Sequence, residues 1–382
     1  MRTTEVCFFP DGKRHASVLR LNKDKQMATQ KEFIVHKRRR AGVILLLAAV
    51  LLLLTVLCMM AGSSHMTPAE CVNALLGKGS AAQVRIIRNI RIPRVIAAII
   101  AGAGLSASGL IMQTCLNNPM ASPSTLGVSN AAVFGANLSI IAFAGGFLET
   151  GNNLSSYMVG ANPYATSGMA FIFSAVSVLL ILGLCRIRSF SPGVVVLAGI
   201  AIGSIWTAAT TILQFYATDV GLSAAVIWSF GDLGRATYKT DIIMAAVVIT
   251  GIVVFAIFSW RFNALLSGDA AAKSMGVNVD VLRFVSMLAA SVITAVCVSY
   301  LGIIGFVGII CPHTAKRILG QDHRISLPVS VLLGSILLLL ADTLSRSIGN
   351  GSALPVGAIT SLLGAPFFLA LIFARKGGGE HA

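Results

Sequence analysis

The stretch RIIRNIRIPR (residues 85–94) places an arginine at every third position and stands directly before residues 95–148, which contain no charged side chain. An uncharged stretch of this length exceeds one membrane crossing, because about 20 apolar helical residues span the hydrocarbon core. The motif NNPMASP (117–123) interrupts it with turn-forming residues. We therefore predict two membrane helices in residues 95–148, with the arginine row directly before the first.

The composition indicates a polytopic membrane protein. Of the 382 residues, 56% are hydrophobic and only 11% are charged, whereas soluble domains carry about 25% charged residues. The seven cysteines show no spacing typical of metal ligands, and we predict no metal site. The fold class is therefore predicted to be all-α, with about ten transmembrane helices.

The other apolar windows of the sequence predict the remaining eight of the ten transmembrane helices. They predict one helix each in residues 41–69, 166–185, 192–216, 241–260, 328–345 and 355–374, and two helices in residues 284–315, divided near 301–308.

The charges at the start of the chain predict its orientation. Residues 1–40 hold 11 lysines and arginines against 4 acidic residues, and we predict a basic, disordered cytoplasmic tail without a nucleic-acid-binding module. Lys37–Arg40 directly precede the first helix, which places its start in the cytoplasm by the positive-inside rule. With ten helices both termini are then cytoplasmic, including a short C-terminal tail (376–382).

The arginine row runs against that rule, because this orientation places these arginines on the outer, non-cytoplasmic side of the membrane. Pro93 suits the first turn of a helix, so Arg91 and Arg94 are predicted to flank a helix start. Either the row contacts lipid phosphates at the interface, or it is a docking patch for an acidic partner. The residue pattern alone does not decide between the two.

The motifs exclude several functions. The sequence GKGS (77–80) lacks the glycine spacing of a nucleotide-binding loop, so the chain is predicted not to hydrolyse ATP. Asp342 and Arg346 are spaced for an ion pair within a helix, but a proton relay needs several buried acids or histidines. His313 with Asp342 is too small a cluster for a membrane-embedded enzyme. An ion-coupled secondary transporter remains the alternative to an ATP-driven one.

The loop at residues 263–280 contains DAAAKSMG (269–276), which predicts a short helix that begins at Asp269 and ends at Gly276. A helix this short is marginal alone. It either fits a groove on a cytoplasmic partner or is an ordinary interfacial helix.

Several stretches together resemble one family, the permeases of type II ABC importers for iron-siderophores, haem and cobalamin. The resemblance covers about residues 41–375. It is carried in order by RIPR (91–94), SGLIMQTCLNNPMASPSTLGVSN (108–130), GDAAAKSMGV (268–277), GFVGIICPHTAKRILGQDHR (305–324), LPVSVLLGSILLLLADTLSR (from 327) and LPVGAITSLLGAPFFLALI (354–372).

The resemblance implies a ten-helix permease domain (41–375) of the bacterial inner (plasma) membrane that works as a homodimer. It implies two ATP-binding cassette subunits, which bind ATP and Mg, and a periplasmic or lipid-anchored substrate-binding protein. The chain itself would be neither an enzyme nor the holder of a cofactor.

The resemblance also implies site residues. By the family motif, carboxylates of the binding protein dock on Arg91, Arg94 and Arg346, whereas Arg85 and Arg88 match no docking position. The loop 263–280 takes the place of the coupling helices that contact the ATPase, carried by Asp269, Ala270, Ala271, Lys273, Ser274, Met275 and Gly276. The cytoplasmic gate falls on Asn118 and Met120 in one element, and on Pro192 and Gly193 in the other. The second element departs from the small hydroxyl residues of the family.

Overall fold

The structure, a computed structural model, describes residues 39–61, 66–143, 162–187, 192–348 and 354–373. Of the predicted N-terminal tail, only Arg39 and Arg40 fall within these ranges, and the C-terminal tail lies outside them. Of the described residues, those from 39 to 47 belong to one unit and consist of the first turns of a helix. The described residues from Ala48 onward belong to a second, compact unit, in which all the contacts described below lie.

The described residues form helices joined by short turns. In chain order the helices are α1 (Arg39–Met60), α2 (Pro68–Leu75), α3 (Ala81–Cys115), α4 (Val128–Phe143), α5 (Pro163–Ile187), α6 (Pro192–Phe215), α7 (Asp219–Ser229), α8 (Tyr238–Ile257), α9 (Ser259–Leu266), α10 (Asp269–Ser274), α11 (Val279–Leu301), α12 (Val307–Leu319), α13 (His323–Ile348) and α14 (Val356–Phe373). Single 3₁₀ turns lie at Pro123–Leu126 and Leu233–Arg235.

The predicted all-α membrane fold is confirmed. Each of the ten predicted apolar segments contains a helix, and within the described ranges seven helices are long and apolar enough to cross a membrane. Helices α4, α7 and α14 are apolar but shorter. The sequence pattern missed α7 and α2; α2 begins with a capping box in which Thr67 and Glu70 bond each other's backbone N–H groups.

The core of the second unit is built around α3, whose apolar window is 83% buried. Helices α8, α11, α12 and α13 pack against it. Its small residues permit close approach: a Cβ on Gly102 would lie 2.8 Å from the Cα of Ser335, and one on Gly109 would lie 2.7 Å from the Cα of Gly308. The small residues of AGAGLSASG (101–109) therefore allow neighbouring helices to approach α3 closely.

The start of α3 differs from the prediction. The arginine row lies inside the helix instead of before it, because α3 begins at Ala81, where the hydroxyl of Ser80 accepts from the Gln83 backbone N–H. Residues Ile86–Arg91 form a π-helical stretch. Pro93 follows two positions after Arg91, in the first turn of the regular α-helical part (Ile92–Cys115). Proline lacks an N–H to donate, so the hydrogen-bond pattern of the α-helix is interrupted in the region where the π-helical stretch lies.

Candidate functional site

Arg94 and Arg346 share one fully buried carboxylate. Arg94 Nε lies 2.6 Å from Asp342 Oδ1, and Arg346 Nε lies 3.0 Å from Asp342 Oδ2. Arg94 Nη2 also lies 3.5 Å from Asp232 Oδ1, whose side chain is half-exposed. The predicted pair of Asp342 and Arg346 is therefore present. It belongs to a larger ionic cluster that joins α3, α13 and the turn before α8.

The other contacts of this cluster hold the end of α1. Arg91 Nη1 donates to the carbonyl oxygens of Met59 at 2.7 Å and Met60 at 3.1 Å. Arg346 donates to Ala61 O at 2.9 Å and to Cys58 O at 3.3 Å. The last carbonyl groups of a helix lack partners within the helix and carry partial negative charge, which guanidinium groups satisfy. We call Arg91, Arg94, Arg346 and Asp342 the arginine cluster.

The three arginines of the predicted docking set thus lie together, but their side chains are largely buried. Arg91 is 4% exposed and Arg94 is 7% exposed. Arg88, by contrast, is exposed, and its Nη2 donates to Leu75 O, the last carbonyl of α2, at 2.8 Å. Its own carbonyl accepts a hydrogen bond from Tyr238 Oη. Arg88 therefore caps the C-terminal end of α2, a role that the interpretation as a contact with lipid phosphates did not include.

The predicted short helix in the loop 263–280 is present as α10. Gly268 (φ 98°) precedes it and Gly276 (φ 80°) follows it, both in the left-handed region that favours glycine. Five of its six side chains are at least partly exposed, and only Ala272 is buried. A helix that presents most of its side chains outward suits contact with another molecule.

Asp269, the first residue of α10, is paired outside its own helix. Arg283 Nη1 lies 2.7 Å from Asp269 Oδ2, and Arg283 Nη2 lies 2.8 Å from Asp269 Oδ1. The third nitrogen, Arg283 Nε, donates to the Cys115 carbonyl at 2.9 Å. The sequence pattern did not indicate Arg283 as the partner of Asp269, because Arg283 lies 14 positions away and carries no local signal.

The predicted gate residues lie at two helix ends. Asn118 and Met120 follow the end of α3, where Asn117 takes a left-handed conformation (φ 44°) and Asn118 Oδ1 accepts from the Met120 backbone N–H at 2.9 Å. Met120 is half-exposed. Pro192 is the first residue of α6, and Gly193 is exposed.

The arginine cluster and the pair of Asp269 with Arg283 form ion pairs and hydrogen bonds between helices. Among the described residues, no group of three His, Cys, Asp or Glu side chains could hold a metal ion. The charged groups of the arginine cluster are used in hydrogen bonds and ion pairs that join helices.

The comparisons with known proteins agree on one family. A model of the FecCD transport family matches residues 50–374. The chain belongs to the FecCD transport family. The match covers nearly the whole span that resembled ABC importer permeases and begins within α1.

Curated relatives carry names that fit this family. An ABC transporter permease protein of Methanocaldococcus jannaschii is 45% identical over 315 residues, which cover 82% of this chain and 89% of that protein. The Fe(3+)-citrate import permease YfmE of Bacillus subtilis is 33% identical, with 81% and 88% covered. The hemin transport permease HmuU of Yersinia pestis is 36% identical, with 75% and 83% covered.

One solved structure supports the fold. An inward-facing conformation of a metal-chelate type ABC transporter superposes with a TM-score of 0.73 at 24% identity, covering 87% of this chain and 99% of that one. As a FecCD permease, the chain is a multi-pass protein of the inner membrane and a transmembrane subunit of an ABC importer, whose ATPase is a separate subunit. This assignment decides against the ion-coupled secondary transporter and the membrane-embedded enzyme.

Proposed function

We propose that this FecCD permease forms, as a homodimer, the translocation path of an importer for an iron chelate. Two ATP-binding cassette subunits supply the energy and hold ATP and Mg, and a substrate-binding protein outside the membrane delivers the chelate. The proposed cargo is supported by the relatives named for Fe(3+)-citrate and hemin, since both of these molecules are iron chelates. We propose that both termini are cytoplasmic, because Lys37–Arg40 favour a cytoplasmic N-terminus and ten membrane helices would return the chain to the same side.

The cargo is tested by uptake into proteoliposomes that hold the assembled transporter and its binding protein. We expect uptake of radiolabelled ferric citrate, a ferric siderophore or hemin, dependent on the binding protein. Cyanocobalamin, the third cargo class of the resemblance, serves as the comparison. Transport of cyanocobalamin with none of the iron chelates would contradict the proposed cargo.

We further propose that the arginine cluster receives carboxylates of the binding protein. Two guanidinium groups, those of Arg94 and Arg346, meet one buried carboxylate, and the second acid nearby, Asp232, is half-exposed. The third guanidinium group, that of Arg91, binds carbonyl oxygens at the end of α1. Arginine suits this task because its planar fork binds carboxylates through two hydrogen bonds. The internal bonds of the cluster pre-organise these side chains, and docking carboxylates would join or displace them.

The docking proposal predicts unequal effects within the arginine row. Arg91→Gln removes a positive charge from the cluster, whereas Arg85→Gln removes one from an exposed position of the same helix. We expect Arg91→Gln to weaken binding of the binding protein by about 30-fold or more, because a lost partner of a buried charge pair costs about 2–5 kcal/mol. Arg85→Gln should cost about 0–1 kcal/mol. Affinity is measured in nanodiscs across a salt series.

A rescue distinguishes docking from general electrostatics. Arg91→Glu combined with a Glu→Arg change on the binding protein should recover part of the affinity if the two groups meet. Equal losses for Arg85→Gln and Arg91→Gln, with no rescue by any charge exchange, would show that the row acts only on lipids or on long-range attraction. Arg94→Glu is unsuitable, since it would place a third acid beside Asp342 and Asp232.

We propose that α10 is the element that contacts the ATPase, and that Asn118 and Met120, with Pro192 and Gly193 at the start of α6, form the cytoplasmic gate. The outward-facing side chains of α10 supply a contact surface. They include Lys273 and Ser274, while Met275 and Gly276 follow the helix. The segment after α3 and the start of α6 are helix ends, which move with less disruption than helix interiors.

The coupling proposal predicts the effect of Gly276→Val. Valine at φ 80° is strained by about 1–3 kcal/mol, although no atom lies within 4 Å of a Cβ at this position. We expect the permease to accumulate normally but to lose ATP-driven uptake, with ATP hydrolysis uncoupled from transport or the ATPase dissociated. Gly183→Val in α5 is the control, since Gly183 has open space and no positive φ. Normal coupled uptake by Gly276→Val would remove α10 from the coupling role.

A further inference from the structure

Arg283 connects three helices through one guanidinium group. It lies in the second turn of α11, and its side chain is only 6% exposed. Its two terminal nitrogens hold both oxygens of Asp269, at the start of α10, and its Nε holds the carbonyl of Cys115, the last residue of α3. All three nitrogens of the group are therefore used.

Each of these bonds is of a strong and directional kind. The contact with Asp269 is a two-bond arginine–carboxylate pair, the geometry that fixes both distance and orientation. The Cys115 carbonyl belongs to the last turn of α3, where carbonyl groups lack helical partners and attract positive charge. A displacement of Asp269 therefore acts on the end of α3 through a single planar guanidinium group that is bonded at all three nitrogens.

The linked end of α3 leads directly into the segment assigned to the gate. Only Leu116 and the left-handed Asn117 separate Cys115 from Asn118. The remaining contact of α10 with the protein interior is apolar: Ala272 is its buried side chain. Apolar contacts are non-directional, whereas the two-bond pair of Arg283 with Asp269 fixes an orientation, so the Arg283 bonds are the better route for a directed movement.

A second connection at the end of α3 does not include α10. Thr114 Oγ1 lies 2.8 Å from His323 Nε2, and His323 Nδ1 lies 2.9 Å from Asn263 Oδ1. These groups join α3 to α13 and α9. They hold the end of α3 in place but offer no bond to Asp269.

We propose that Arg283 is the positioning residue that transmits movement of α10 to the gate segment 116–120. This inference rests on the proposed function, in which α10 contacts the ATPase. ATP-driven displacement of α10 pulls Asp269, and Arg283 passes the displacement to Cys115 and the residues that follow.

Hydrogen exchange of the complete transporter tests the proposal. The permease, assembled in nanodiscs with its ATP-binding cassette subunits, is compared with and without Mg-ATP and vanadate, and exchange is followed in residues 268–276 and 113–121. In the unaltered transporter both segments should respond to nucleotide. In Arg283→Gln the first segment should still respond and the second should not, and uptake should fall at least about fivefold while ATP hydrolysis continues.

Two further variants complete the test. Asp269→Ala keeps the bond from Arg283 to Cys115 but detaches α10; it should also silence residues 113–121, and it covers the case in which Arg283→Gln does not fold. Arg261→Gln is the matched control, because Arg261 is exposed and stacks on Phe258 and Trp260 at 4.8 Å and 5.6 Å. It should respond as the unaltered transporter does.

The outcomes separate this inference from the proposed function. A nucleotide response of residues 113–121 that persists in Arg283→Gln or Asp269→Ala would overturn the role of Arg283 and leave α10 as the coupling element. Absence of any response at residues 268–276 in the unaltered transporter would overturn the coupling role of α10, and the role of Arg283 with it.

Discussion

Replacing Gly109 with valine is expected to abolish accumulation of the folded permease. A Cβ on Gly109 would lie 2.7 Å from the Cα of Gly308 and closer still to its carbonyl oxygen, so backbone meets side chain with no flexible group to yield. Overpacking of a core costs about 1–3 kcal/mol even where side chains can adjust. Here α3 would have to separate from α12, and the loss of free energy of unfolding should exceed that range. The measurement is the amount of monodisperse permease after extraction in mild detergent.

Gly183→Val provides the matched control for this substitution. Gly183 also lies within an apolar helix, but no atom lies within 4 Å of a Cβ there. It should leave the yield and the thermal denaturation midpoint almost unchanged. If Gly109→Val yields as much folded protein as Gly183→Val, the close contact of α3 with α12 does not exist as described.

Replacing Asp342 with alanine is expected to destabilise the permease by about 3–5 kcal/mol, the cost of leaving a buried charge without its partner. Asp342 is fully buried and bridges Arg94 and Arg346. Its loss places two guanidinium groups side by side with no carboxylate between them. The measurement is the denaturation midpoint of the purified permease in detergent or nanodiscs.

Two control variants accompany Asp342→Ala: one removes an exposed carboxylate, and the other also removes an arginine partner of Asp342. Asp280→Ala removes an exposed carboxylate from the first turn of α11 and should have little effect. The double variant Asp342→Ala with Arg94→Met should recover part of the stability, because it removes one of the two buried guanidinium groups that have lost Asp342. If Asp342→Ala is as stable as Asp280→Ala, the ionic cluster does not join α3 to α13.

The membrane helices were predictable because each was a long apolar window between charged residues. This signal is local and needs no knowledge of the fold. It failed for residues 81–91, where Arg85, Arg88 and Arg91 suggested a segment outside the helix. The capping of α3 by Ser80 and the π-helical stretch before Pro93 extend the helix through the arginines. It also missed α7, which is shorter than a membrane span.

The site was predictable only in part, for a different reason. Asp269 and Gly276 indicated the start and the end of α10, and the four-residue spacing indicated the pair of Asp342 and Arg346. The partners that complete these pairs are distant in sequence: Arg94 lies 248 positions from Asp342. No local pattern connects such residues, and only the packing of α3 against α13 brings them together. The roles of these residues in docking, coupling and gating stay predictions.

ATP-dependent uptake in proteoliposomes tests the central claim most directly. The permease is reconstituted with its ATP-binding cassette subunits, the binding protein is supplied on the opposite side, and radiolabelled ferric chelate is followed with ATP or a non-hydrolysable analogue enclosed with the ATPase. The account predicts uptake that requires ATP hydrolysis and the binding protein, and that an uncoupler leaves unchanged. Uptake that proceeds without the ATPase and collapses with the uncoupler would contradict the assignment as the permease of an ATP-driven importer.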